Sequence, residues 1–118
     1  MEATMNEGKI LHIKYPTGYM DIRVENFFPA TLDRARMVFR LMHEYSSEED
    51  IKMIYDYLWE KIEESTNDSC EYSVTLSITT DKKEERKAAE GLRKAKSMKK
   101  RTERNLELLK KITKHKEE

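Results

Sequence analysis

The sequence predicts an α+β fold: a three-stranded antiparallel sheet (ββααβ) packed on an αα-hairpin and followed by a long C-terminal basic helix. Three observations predict it. Apolar and polar residues alternate on either side of Pro16-Thr17-Gly18 and again over 72–79, two amphipathic stripes at helical spacing lie between those stretches, and the charge changes sign near residue 81. From Lys82 onward fifteen Lys/Arg stand against seven Asp/Glu. Because the whole chain carries 23 of each sign, residues 1–81 hold 8 basic and 16 acidic groups. The neutral total conceals an acidic front and a basic rear. The predicted organisation is a short loose arm over 1–8, an acidic domain over 9–80 and the basic helix over 81–118.

Each element has its own warrant. Leu11, Ile13 and Tyr15 share one face of a first strand, and Met20, Ile22 and Val24 share one face of a second. The Pro-Thr-Gly turn between them makes a β-hairpin, with proline fixing φ and glycine free to take positive φ. Phe27-Phe28-Pro29 then ends the alternation. Thr31 is a predicted N-cap with Asp33 in the first turn, and Leu32, Ala35, Val38, Phe39, Met42 and Tyr45 recur at three and four. Ser46 and Glu49 form a capping box for a second helix, whose stripe is Ile51, Ile54, Tyr55, Leu58 and Ile62. Ser65-Thr66-Asn67-Asp68-Ser69 reads as a loop. Tyr72, Val74, Leu76 and Ile78 alternate with Ser73, Thr75, Ser77 and Thr79, which predicts a third strand antiparallel beside the second, or parallel beside the first.

Asp81 and Glu84 form a second capping box. About 35 helical residues from there extend about 50 Å, longer than an 80-residue domain is wide. Ala88, Ala89, Leu92, Ala95 and Met98 make a stripe of mostly small residues suited to docking on the domain. Leu106, Leu109 and Ile112 make a second stripe, suited to a partner, to oligomerisation or to folding back. Between them Lys99 to Asn105 is expected to bury nothing.

Chemistry-bearing constellations are sparse. His12, His43 and His115 fall in different elements without ligand spacing, so no metal site is expected. Cys70 is the only cysteine, which excludes an internal disulfide, and no base accompanies it in the pattern. Asp56, Glu60, Glu63 and Glu64 lie opposite the apolar stripe of their helix. That is the position of a solvated acidic face, which can also serve a basic protein partner. Gly91 belongs to no phosphate-binding fingerprint. Phe27 and Phe28 are expected in the core, with protein contact as the alternative use of one ring. No catalytic residues, cofactor or small-molecule substrate are expected. The absence of a signal pattern and of any apolar run of spanning length predicts a cytoplasmic protein without membrane contact.

The basic helix carries the functional expectation. Arg86, Lys87, Arg93, Lys94, Lys96, Lys99, Lys100, Arg101 and Arg104 stand against only Glu90 and Glu103 over the same stretch. Such a face is either a solvated surface or a sequence-independent grip on nucleic acid or a nucleoprotein complex. No helix-turn-helix, zinc-finger or leucine-zipper signature points to base-specific reading. The expected function is that of a non-enzymatic binding protein; the alternative is a self-associating structural module that uses the helix to form a homo-oligomer.

In size, charge polarisation and lack of a catalytic motif, the chain resembles accessory proteins of phages and mobile elements, among them anti-CRISPR inhibitors of RNA-guided nucleases. The resemblance is of general character over the whole chain. It implies binding to a nucleoprotein effector and interference with DNA access or cleavage, and it carries over no individual residue.

Overall fold

A computed structural model describes residues 8–29 and 31–114. Its order is β1 (Ile10–Tyr15), β2 (Gly18–Arg23), a 3-10 turn (Val24–Asn26), α1 (Leu32–Tyr45), α2 (Glu48–Ile78) and α3 (Lys82–Thr113). The described residues form two compact units. The first comprises those up to Leu58 together with those from Asn105, and the second is Trp59–Arg104. Residues 1–7 of the predicted arm lie outside the described residues.

In the first unit β1 and β2 pair antiparallel, with Leu11 opposite Ile22 and Ile13 opposite Met20. Alternation puts these four side chains on one face, and Leu11, Ile13 and Ile22 are buried there with Val24. The turn is tighter than the sequence suggests. Tyr15 already pairs with Gly18, so Pro16 and Thr17 make the reversal. Gly8, not Gly18, is the described glycine with positive φ. Phe27 follows the hairpin into the core and meets Phe39 of α1 with ring centroids 5.7 Å apart.

α1 starts where Thr31 Oγ1 accepts the Arg34 N–H at 3.1 Å. It buries Ala35, Val38, Phe39 and Met42, whereas Leu32 and Tyr45 at its ends are exposed. The next cap is shifted by one residue from the predicted Ser46–Glu49 box. The Ser46 N–H and Oγ both donate to Met42 O and close α1, and it is Ser47 Oγ that accepts the Asp50 N–H at 3.1 Å. From α2 this unit buries Ile51, Ile54, Tyr55, Tyr57 and Leu58. The Tyr57 hydroxyl donates to Glu25 O at 2.6 Å, tying the helix to the 3-10 turn that follows the hairpin.

The predicted third strand and the loop before it are absent. The sheet has two strands, and residues 65–69 and 72–78 are all α2. The fold remains α+β, but it is a β-hairpin with three helices rather than a three-stranded ββααβ sheet on an αα-hairpin. The physical reason lies in a second periodicity within the same residues. Ile62, Ser65, Ser69, Tyr72, Leu76 and Thr79 alternate steps of three and four, continuing the heptad begun by Ile51, Tyr55 and Leu58. Hydroxyls taken for a loop or for the polar face of a strand are satisfied within the helix. Thr66 donates to Ile62 O, Ser69 to Ser65 O, Thr75 to Glu71 O and Ser77 to Val74 O.

The second unit is a helical hairpin of Trp59–Ile78 and Lys82–Arg104, reversed by Thr79-Thr80-Asp81. Thr79 Oγ1 accepts the Asp81 N–H at 3.2 Å, and Asp81 Oδ1 caps α3 by accepting the Lys83 N–H at 3.0 Å. Its buried residues are mostly small: Ser65, Ala88, Ala95 and Thr102, with Ile62 as the large apolar member. A seam of small side chains permits close approach of the two helices, and Gly91 lies directly against the Tyr72 ring. No helix among the described residues is long and apolar enough to cross a membrane.

Candidate nucleic-acid interface

The heptad that folds α3 also sorts its charges. Ala88, Gly91, Ala95, Met98 and Thr102 recur in steps of three and four and form the seam. Outside it, Arg86, Arg93 and Lys100 recur every seven residues, and Lys87, Lys94 and Arg101 do the same one residue later. Seven residues are within about 20° of two full turns, so each set forms a row along the helix. The result is three pairs of cations, about 10.5 Å between pairs and about 22 Å from Arg86 to Arg101. All six are exposed, and the one acidic residue of this face, Glu90, lies between the two rows within a turn of the first two pairs. Lys96 and Arg104 are exposed as well, while Lys99 is half-buried. Glu90 holds Lys94 at 3.3 Å in an exposed ion pair, too weakly coupled to withdraw that cation from a partner.

The structure therefore gathers all nine predicted basic residues into one unit, Trp59–Arg104. It revises the stretch Lys99 to Asn105, which is not free of core duty. Thr102 and Asn105 are both buried, Thr102 completely, and the Thr102 hydroxyl donates to Met98 O at 2.7 Å. The predicted partner stripe is also engaged. Leu106 and Leu109 are buried within the first unit and Ile112 is half-buried there. Leu106 and Leu109 thus serve as core residues of that unit.

The acidic residues are exposed, as a solvated face requires, but they are divided between the units. Asp56 lies in the first and pairs with Lys52 at 2.7 Å. Glu60, Glu63 and Glu64 lie in the second, where Glu64 meets Lys61 at 3.5 Å. Phe27 is core and Phe28 half-buried.

Among the described residues, recesses open in the first unit. One of about 260 Å³ is bounded by Met20, Ile22, Phe27, Phe28 and Val38. The other, about 790 Å³, runs along α1 between Tyr15, Met20, Met37 and Leu41, with Arg34 and Arg40 at its rim. Neither is lined by a histidine, cysteine or serine. Asp33, the one carboxylate of the larger recess, is bound to Arg36 at 2.9 Å. His12 meets Asp21 across the hairpin at 2.6 Å, His43 and Cys70 are exposed on separate helices, and His115 lies outside the described residues. Among the described residues no group of three His, Cys, Asp or Glu could hold a metal ion. Arg34 and Arg40, which line the larger recess, were not among the expected binding residues. Their shared helix face with Met37 was the available signal.

Comparison with known protein families, curated proteins and solved structures finds no match.

Proposed function

We propose that the protein is a non-enzymatic binder of nucleic-acid backbone, free or within a nucleoprotein machine, and that the outer face of α3 is its contact. The observation that carries this reading is the double row Arg86/Lys87, Arg93/Lys94 and Lys100/Arg101. A solvated helix needs scattered charge for solubility, and it gains nothing from six cations of one sign in register on one side. Mutual repulsion along such rows is a cost that an extended polyanion relieves. Release of condensed counterions then supplies the affinity, with log K falling by nearly one unit per phosphate contacted for each unit of log salt on duplex DNA. Inhibition or regulation of an RNA-guided nuclease is the role that the general resemblance to phage and mobile-element accessory proteins implies, and such an enzyme presents nucleic acid in this way.

The test is fluorescence anisotropy with labelled nucleic acids across a salt series, comparing the native chain with Arg86→Glu/Arg93→Glu/Lys100→Glu. Binding at low salt that weakens steeply with salt and is lost in the triple variant is expected. No binding to any DNA or RNA at 20 mM salt removes direct nucleic-acid contact. A nuclease cleavage assay then decides whether the role is inhibition.

A further inference from the structure

The geometry points to a duplex, rather than a single strand, as the ligand of the α3 face. This rests on the reading of that face as a nucleic-acid contact and deepens it. Three features of the face carry it.

The first is what the face lacks. Residues 82–118 contain no Phe, Tyr or Trp. Proteins that hold single strands pair a basic groove with aromatic platforms on which unstacked bases lie, because the bases must recover the stacking they give up. No aromatic ring on α3 offers that recovery, and its arginines supply only the smaller stacking of a guanidinium plane. The nearest aromatic of its own unit, Tyr72, is packed onto Gly91 in the seam. The second is rigidity of spacing. The cation pairs stand at fixed intervals of about 10.5 Å along a helix. A fixed row matches a ligand whose phosphates are themselves held in place, whereas a flexible strand must be ordered to follow it. The third is charge density. A duplex carries one charge per about 1.7 Å of axis, twice that of one strand, and each contact releases more counterion from it.

The preference has a size. With six contacts, at about 0.9 log unit per contact for duplex against about 0.7 for single strand, the two ligands differ about tenfold at 0.1 M salt. Residues 82–118 contain no glutamine, and their one asparagine, Asn105, is buried, so the paired amide reading of adenine is absent. Contacts from these cations to phosphates carry no sequence information, so little sequence preference is expected on DNA or RNA duplexes.

The experiment uses the full chain and four probes of equal length: a 24-base-pair DNA duplex, an RNA duplex of the same sequence, and one strand of each. Affinities are measured between 50 and 200 mM salt. Expected is about tenfold tighter binding to the duplexes at 0.1 M salt, with a salt slope approaching about −5, and little change when the sequence is scrambled. Equal or tighter binding of single strands overturns the duplex assignment while leaving backbone binding intact. Failure of all four probes overturns the backbone reading itself. A difference between the two duplexes identifies which form is preferred. Substituting Lys100→Tyr supplies one aromatic platform on the face; it is expected to narrow the duplex preference, and an unchanged or wider preference contradicts the argument from missing stacking. Circular dichroism of the variant guards against loss of the helix.

Discussion

Gly91 of α3 lies against the ring of Tyr72 of α2, so close that a methyl group at Gly91 would fall within 2.8 Å of three ring atoms. A glycine in mid-helix costs about 1 kcal/mol relative to alanine, and here that cost is the condition for the two helices to close over an aromatic ring. The ring is 37% exposed, so it can swing outward if displaced. Two effects of similar size therefore compete in Gly91→Ala: the helix gains propensity and the seam loses its ring contact.

A double-mutant cycle separates them. Gly91→Ala alone is expected to lower stability by about 1 kcal/mol, since overpacking a seam costs about 1–3 and propensity returns about 1. In a Tyr72→Ala background the same change is expected to raise stability by about 1 kcal/mol, because only propensity remains. Urea unfolding of the four proteins measures both. Identical effects in the two backgrounds would show that the two residues are not coupled.

The same stretch gives a sharper test of the revised fold. Val74 is 58% exposed and Ile78 73% exposed on α2. In the three-stranded sheet predicted by alternation, both would belong to the buried face with Tyr72 and Leu76. Val74→Glu and Ile78→Glu are therefore expected to change stability by no more than about 0.5 kcal/mol, as surface substitutions do. A loss of more than about 3 kcal/mol in either, read by thermal or urea unfolding, would restore the strand.

Why the alternation misled is instructive in terms of these residues. Tyr72-Ser-Val-Thr-Leu-Ser-Ile-Thr satisfies period 2 without exception, and its β-branched residues favour strands. Yet the chain contains no glycine or proline between Pro29 and Gly91, so nothing in 65–69 forces the helix to stop. Ser and Thr were read as loop and strand formers, but at helical spacing Ser65 and Ser69 are small seam residues, and the hydroxyls of Thr66, Ser69, Thr75 and Ser77 return to the preceding turn. The hairpin over Ile10–Arg23, α1 and the start of α2 were legible because their apolar residues fit one period only. The basic residues were legible as a list. Their arrangement in two rows became visible only with the heptad frame, which a break in the helix before residue 72 had hidden.

Leu109 tests where the end of α3 belongs. It is wholly buried in the first unit, and Lys110 beside it stands 6.0 Å from the centroid of the Tyr55 ring. Leu109→Ala removes buried methyl groups and leaves a cavity, so it is expected to cost about 2–5 kcal/mol. Sedimentation of the native protein and the variant should give the same oligomeric state. A variant that keeps its stability but dissociates from a dimer would return Leu109 to the role of a partner contact.

Thr102 and Lys100 are two residues apart and carry opposite duties. Lys100 is exposed in the outer row, and its replacement by alanine is expected to change stability by no more than about 0.5 kcal/mol while weakening nucleic-acid binding. Thr102 is 0% exposed, and its hydroxyl is already committed to Met98 O. Thr102→Lys places a charge in the seam with no room for its hydration, and it is expected to cost about 3 kcal/mol or more. Thr102→Val keeps the shape and removes only a hydroxyl bonded to a carbonyl of the preceding turn, so it is expected to stay within about 1 kcal/mol of the native protein. Urea midpoints of the three variants decide the matter. A tolerated Thr102→Lys would place this residue on the surface and break the heptad frame on which the two basic rows depend.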